Sequence, residues 1–216
     1  MGDFLIQDGQ TYLFQGDSIT DCGRRDAACP YGGGYPALTR ELATSLYPDR
    51  QITWINKGIS GNTTKDLKER WDDDTIRQQP DWISILIGIN DSHRYLFNPD
   101  PNIKVSPQEF RENYDWLLSR VKSETNANII LLDPFYISLS SCDTNRKVVL
   151  DLLPEYIQVV RDMAAKYNTL HVAMHDIYQR HLTFRDADHF CPEPVHPSRP
   201  GHLVMAMELL KALGAF

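Results

Sequence analysis

The sequence predicts an α/β fold of three layers, α/β/α, built on a mostly parallel five-stranded sheet. Two observations predict it. Five short apolar runs alternate with longer amphipathic stretches, and strands that alternate with helices pair in parallel through right-handed crossovers. Several of the runs are also apolar on both faces, as strands covered by helices on both sides are.

The expected strands are Tyr12–Gln15, Ile52–Asn56, Trp82–Gly88, Asn128–Asp133 and Leu170–His175. Each is rich in Ile, Leu, Val or aromatic residues and too short for a typical helix. The clearest helix begins at Ser106, where Ser106-Pro-Gln-Glu109 reads as a capping box with proline at the first helical position. Phe110, Tyr114, Leu117, Leu118 and Val121 then recur on one face. Further helices are expected over Pro36–Leu46, Thr64–Gln78, Arg146–Tyr167 and Pro200–Leu213, with a break or kink in the third of these at Pro154. No repeat, low-complexity tract or long linker divides the 216 residues, so one domain is expected over 1–216.

Composition narrows the function classes. The net charge is −7 and the pI about 5.4, which repels phosphate backbones and anionic lipid, so neither nucleic acid nor membrane is an expected partner. Cysteines 22, 29, 142 and 191 form no CxxC pair and no zinc spacing. His171, His175 and Asp176 show no HExxH pattern, and no metal site is expected there. The first ten residues lack the pattern of a secretory leader, and no run reaches the length of a membrane span. A soluble cytoplasmic protein with reduced thiols is the expectation.

In a sheet of this kind ligands bind beyond the carboxyl ends of the strands, and the unusual residues gather there. After the first strand comes Gly16-Asp-Ser-Ile-Thr-Asp-Cys-Gly-Arg24. Ser18 in it reads either as a hydroxyl aimed into a cleft or as a plain helix N-cap; it is not a GxSxG elbow. After the second strand, Gly61 in Asn56-Lys-Gly-Ile-Ser-Gly61-Asn-Thr-Thr64 is either a backbone N–H donor to a developing oxyanion or part of a tight turn before a threonine cap. After the third, Asn90 is either an amide donor or an Asx turn. His196, in the proline-rich Glu193-Pro-Val-His196-Pro-Ser-Arg-Pro-Gly-His202, is either a base, with Glu193 three residues away to hold its tautomer, or a surface histidine.

Ser18, Gly61, Asn90 and His196 follow one another in four blocks, and in this the sequence resembles the SGNH subgroup of GDSL hydrolases over nearly its whole length. GDSITDCGR, NKGISGNTT, DLKERW, PDWISILIGIND and VHPSRPGH are similar to the intracellular acetylxylan and acetyl-xylooligosaccharide esterases of bacilli. The resemblance implies a flavodoxin-like SGNH fold, no metal or other cofactor, and removal of acetyl groups from small acylated sugars. Ser18 would be the nucleophile and His196 the base. The N–H groups of Ser18 and Gly61 and the Asn90 side chain would form the oxyanion hole. The related esterases also suggest a homo-oligomer, with Trp71, Tyr95 and Phe97 as surface candidates.

One position departs from the family, which has aspartate three residues before the histidine where this chain has Glu193. Three outcomes follow: Glu193 orients His196 from slightly farther away, Asp186 or Asp188 substitutes, or a Ser–His dyad works alone. Glu193 is the preferred reading. Rival functions are a broad GDSL esterase, lysophospholipase or thioesterase, and an inactive carbohydrate-binding module. Smaller expectations complete the reading. Asp17 and Asp91 fix turns locally, Asp21 makes a weak rim pair with Arg24 and Arg25, and Gly32–Tyr35 forms a flexible lip. Trp54, Trp71, Trp82 and Trp116 belong to the core or its edge, and Tyr31, Tyr35, His93, Tyr95 and Tyr136 are candidates for sugar contact.

Overall fold

A computed structural model describes residues 4–26, 28–139 and 143–216; Cys142 lies outside the described residues. Five parallel strands form one sheet: β1 (Thr11–Gly16), β2 (Thr53–Asn56), β3 (Trp82–Leu86), β4 (Asn128–Leu132) and β5 (Leu170–Val172), in the order β2-β1-β3-β4-β5. The eight α-helices among the described residues are α1 (Ser18–Asp21), α2 (Tyr35–Leu46), α3 (Thr64–Asp74), α4 (Ile89–Phe97), α5 (Pro107–Glu124), α6 (Thr144–Tyr167), α7 (Met174–His181) and α8 (Arg199–Ala212). None is long and apolar enough to cross a membrane.

The two-residue period of a strand divides the core. Tyr12, Phe14, Leu86, Ile130 and Leu132 face a cluster with α2 and α8, whereas Leu13, Ile83, Ile85, Ile129 and Leu131 face one with α3 and α5. Tryptophans 54, 71 and 82 are buried and Trp116 half-buried, so Trp71 belongs to no association surface. Helix α6 runs unbroken through Pro154, which lies on its exposed side while Leu153, Tyr156 and Ile157 are buried on either side of it. Ser106 caps α5 by accepting from the Glu109 N–H (3.2 Å), but the Glu109 carboxylate pairs with Lys65 instead.

The differences from expectation gather at the carboxyl edge of the sheet. There β3 stops at Leu86 and β5 at Val172, and both are followed by helices, α4 and α7, where loops were expected. Helix α4 has only 9 residues and buries Asp91 and Ser92 beside Ile89. Asp91 fixes no local turn. Its Oδ1 accepts from the N–H (3.0 Å) and hydroxyl (2.6 Å) of Thr64, at the start of α3. Gly32–Tyr35 is no flexible lip either, since Tyr35 is fully buried, stacks on His202 and begins α2. Asp21, expected on the rim, is buried.

Asp17 and Asp91 are both fully buried, and each has one carboxyl oxygen without a hydrogen-bond partner. Burial pushes Asp17 up to about 7, against the pull of the Ile19 N–H and with help from nearby Asp91. Asp91 is pushed up to about 6 by burial, against its bonds to Thr64. A carboxyl that desolvation holds protonated stabilises the fold at low pH and loses that contribution as pH rises through its folded pKa.

Two outcomes are expected. Thr64→Val removes a hydroxyl that donates to Asp91 and accepts from Asn113, so it should destabilise by about 1–3 kcal/mol, read as a lower urea midpoint at unchanged slope. The contribution of Asp17 to stability should fall as pH rises from about 4 to about 7, with up to about 4 kcal/mol at stake. Asp17→Asn removes that contribution, so the stability of the variant relative to the unmodified chain should rise with pH over this interval, and equal pH slopes in the two proteins would refute this account of Asp17.

Candidate active site

The site begins where β1 ends. Asp17 is the N-cap of α1, its Oδ1 accepting from the Ile19 N–H at 3.0 Å. Ser18 is therefore the first helical residue rather than the cap, and its hydroxyl is free for another partner. That partner is His196, whose Nε2 lies 2.7 Å from Ser18 Oγ across 178 residues of chain.

His196 sits in the loop before α8, and Glu193 shapes that loop. Glu193 Oε2 accepts from the Val195 N–H (2.9 Å), while Oε1 accepts from the His196 N–H (2.8 Å) and contacts His196 Nδ1. The extra methylene of glutamate is absorbed because the side chain folds back over its own loop. Partial burial pushes this carboxyl up, but the two N–H groups and the imidazole outweigh it and hold the pKa below the usual glutamate value. Asp186 and Asp188 are exposed and make no bond to His196. The Ile137 N–H donates to Pro194 O at 2.8 Å, and the Ser198 N–H to Phe190 O at 2.8 Å, which fastens the loop at both ends.

Gly61 adopts φ +80°, in the left-handed region that favours glycine. Its carbonyl accepts from Arg94 Nη2 at 2.6 Å. Asn90, in the first turn of α4, donates from Nδ2 to Asn62 O at 3.0 Å, which leaves its second amide hydrogen free. Among the described residues no protein group accepts from the N–H of Ser18 or of Gly61. The four residues expected in the site thus follow the carboxyl ends of the strands on one edge of the sheet, and Ser18 and His196 meet there.

Sequence reasoning missed the residues that hold the Gly61 loop. Asp21 Oδ2 accepts from the Ser60 N–H (3.0 Å) and hydroxyl (3.1 Å) and from Arg25 (2.9 Å). Burial alone would raise Asp21, but these bonds keep its carboxyl low. Arg24 Nε donates to Gly58 O at 2.6 Å. Arg70 donates to the carbonyls of Lys57 (2.7 Å) and Gly16 (3.2 Å) and to Asn62 Oδ1 (2.8 Å). Their signal was charge: basic and acidic residues in or next to the segments that follow strands.

The site is shallow. His196 and Glu193 are exposed, and the neighbouring recess of about 250 Å³ is lined by His93, Arg94, Phe97, Asn98 and Pro99. Of the aromatic candidates for sugar contact, Tyr35 is in the core and Tyr136 is 7% exposed, which removes the first and nearly removes the second. His171 is bonded to Asp133 (2.6 Å) in a cluster with Arg161 and Asp176, away from Ser18.

The chain is similar to known proteins over nearly all its length. It is 37% identical over 217 residues to an acetylxylan esterase of Geobacillus stearothermophilus, spanning 97% of this chain and 96% of that one. The crystal structure of Axe2, an acetylxylan esterase from the same organism, superposes with a TM-score of 0.87 at 36% identity and covers 97% of this chain and 96% of that one. An α/β hydrolase enzyme from the metagenome of Lake Arreo, Spain, matches with a TM-score of 0.88 at 29% identity over 98% of each chain. The model of the GDSL-like lipase/acylhydrolase family matches residues 14–204, and with the serine, histidine and glycine-led loops in their expected order this chain belongs to that family.

Proposed function

We propose that this chain is a serine esterase that removes short acyl groups, acetyl above all, from carbohydrates such as acetylated xylo-oligosaccharides. The observation that carries the reading is the contact of Ser18 Oγ with His196 Nε2 at 2.7 Å, with Glu193 on the other ring nitrogen. A carboxylate on Nδ1 keeps the proton there and leaves Nε2 free to accept one. His196 then takes the Ser18 proton as the oxygen attacks the ester carbonyl. The N–H groups of Ser18 and Gly61 and the free amide hydrogen of Asn90 receive the oxyanion, each worth roughly 3 kcal/mol in such sites. His196 returns the proton to the departing sugar hydroxyl, and a water activated in the same way releases acetate.

Two features support a short acyl group and a hydrated leaving group. The recess of about 250 Å³ that His93 and Arg94 share with Phe97, Asn98 and Pro99 is small, which suits a short acyl group. The similar Geobacillus protein is itself named an acetylxylan esterase. The 216 residues act as one catalytic domain in this reading. A cytoplasmic location suits the free thiols of Cys22, Cys29 and Cys191. A homo-oligomer suits the exposed Tyr95, Phe97 and Ile103, and light scattering measures it.

Ser18→Ala should lower kcat by about 10⁴-fold or more, and near-normal activity in that variant would overturn the assignment. Glu193→Gln should cost more than about tenfold, because the imidazole loses the group that fixes its tautomer. In a series of p-nitrophenyl esters the rate should peak at acetate; a maximum at C8 or longer would exclude the acetyl esterase. Mass spectrometry of acetylated xylo-oligosaccharides should show successive losses of acetyl with the unmodified chain and none with Ser18→Ala.

A further inference from the structure

His202 lies in the first part of α8, six residues beyond His196, and is buried. Its ring joins three elements. Tyr35 donates its backbone N–H to Nδ1 at 3.2 Å, so the ring proton of the neutral imidazole must sit on Nε2. Nε2 lies 3.2 Å from Cys22 Sγ, and the thiol in turn donates to Ile19 O at 3.4 Å. Each donor in this chain has one acceptor, and the direction of every bond follows from the first.

The geometry around the ring is closely packed. A Cβ on Gly34 would lie 2.5 Å from Cys22 Sγ and 2.9 Å from His202 Cε1, so only glycine lets the three segments meet. Gly34 supplies no side-chain cap for α2, and His202 satisfies one of that helix's unpaired N–H groups in its place. Cys22 ends α1 in the left-handed conformation. Tyr35, stacked on His202, holds Thr20 in the same turn through a 3.0 Å hydroxyl contact.

We propose that His202 is a positioning residue that sets the distance between Ser18 and His196. This rests on the Ser18–His196 reading above. Ser18 is on α1, whose end is tied through Cys22 to the imidazole. His196 is in the loop that leads into α8, which carries that imidazole. The clamp therefore connects the segment holding the hydroxyl to the segment holding the base. The Cys22–His202 pair is not itself a second nucleophile and base. Burial, with Asp21 and Asp17 nearby, pushes the thiol up to about 12, while burial, with His196 nearby, pushes the His202 imidazole down to about 4. Both stay neutral and hydrogen-bonded.

The test is hydrolysis of p-nitrophenyl acetate by Cys22→Ala, His202→Phe and His202→Asn, with kcat expressed per serine titrated to completion by an organophosphate. His202→Phe keeps the ring but no hydrogen bond, whereas His202→Asn restores an acceptor for Tyr35. The expected result is a fall in kcat of about tenfold or more in Cys22→Ala and His202→Phe with KM within about twofold, in line with a misplacement of about 1 Å at the reacting atoms. His202→Asn should recover at least about threefold of kcat relative to His202→Phe. A role in stability alone would lower Tm and the titratable fraction but not kcat per titrated serine. A smaller fall in kcat, or a loss carried by KM, overturns the proposal. If His202→Phe does not fold, Cys22→Ala is judged by the same threshold. Ser18→Ala separates the two readings: activity retained there defeats the esterase assignment, while an inactive Ser18→Ala beside a normal Cys22→Ala defeats this inference alone.

Discussion

The parallel register of β1 against β3 is the constraint on which the site depends. Gly16 pairs with Leu86, and the same row continues through Leu132 to Val172. Because all five strands run one way, the chain leaves each of them on the same edge. Where β2 and β3 lie on opposite sides of β1, the connections diverge to opposite faces and leave a crevice, the switch point of a doubly wound sheet. Ser18 and Asn90 each stand in the first turn of a helix that follows one of the adjacent strands β1 and β3. A slip of one residue in that register would exchange the side chains of the slipped strand between the two core clusters and shift Ser18 relative to Asn90.

The rim of the crevice is held by polar bonds. Arg24, Arg70, Arg94 and Asp21 each reach the β2–α3 loop and bind its carbonyls, N–H groups or side chains. These contacts fix backbone directions, which apolar packing does poorly, and an oxyanion site depends on backbone directions. The cost of placing such groups close to the core is visible in Asp17 and Asp91, each buried with an oxygen that no protein group satisfies. Their raised pKa values are the measure of that cost.

The residues most legible in the sequence were those whose chemistry is rare at their place: a serine after the first strand, a glycine and an asparagine after the next two, and a histidine between prolines. The helices least legible were α4 and α7, which are 9 and 8 residues long, shorter than the roughly 11–18 residues over which a helical period is read. In α4 Asp91 and Ser92 are buried through bonds to Thr64 and Ile89. Asp21 was misread for the related reason that its partner Ser60 is 39 residues away. Spacing favours Glu193 over Asp186 and Asp188 as the orienting carboxylate, but a loop of three prolines has no period from which to read direction.

What the sequence determined by itself was the alternation of strands and helices, hence the parallel sheet. Local composition suffices for this, because apolar runs and turn residues act over a few positions, whereas Ser18, Gly61, Asn90 and His196 stood out only together, through their resemblance to the SGNH blocks. Only the tertiary structure decided that Glu193 curls back onto His196, that Asp21 and Arg70 brace the Gly61 loop, and that His202 and Cys22 join α8 to α1. Those outcomes depend on hydrogen bonds between residues tens to nearly two hundred positions apart, and such bonds have directions that a sequence does not contain.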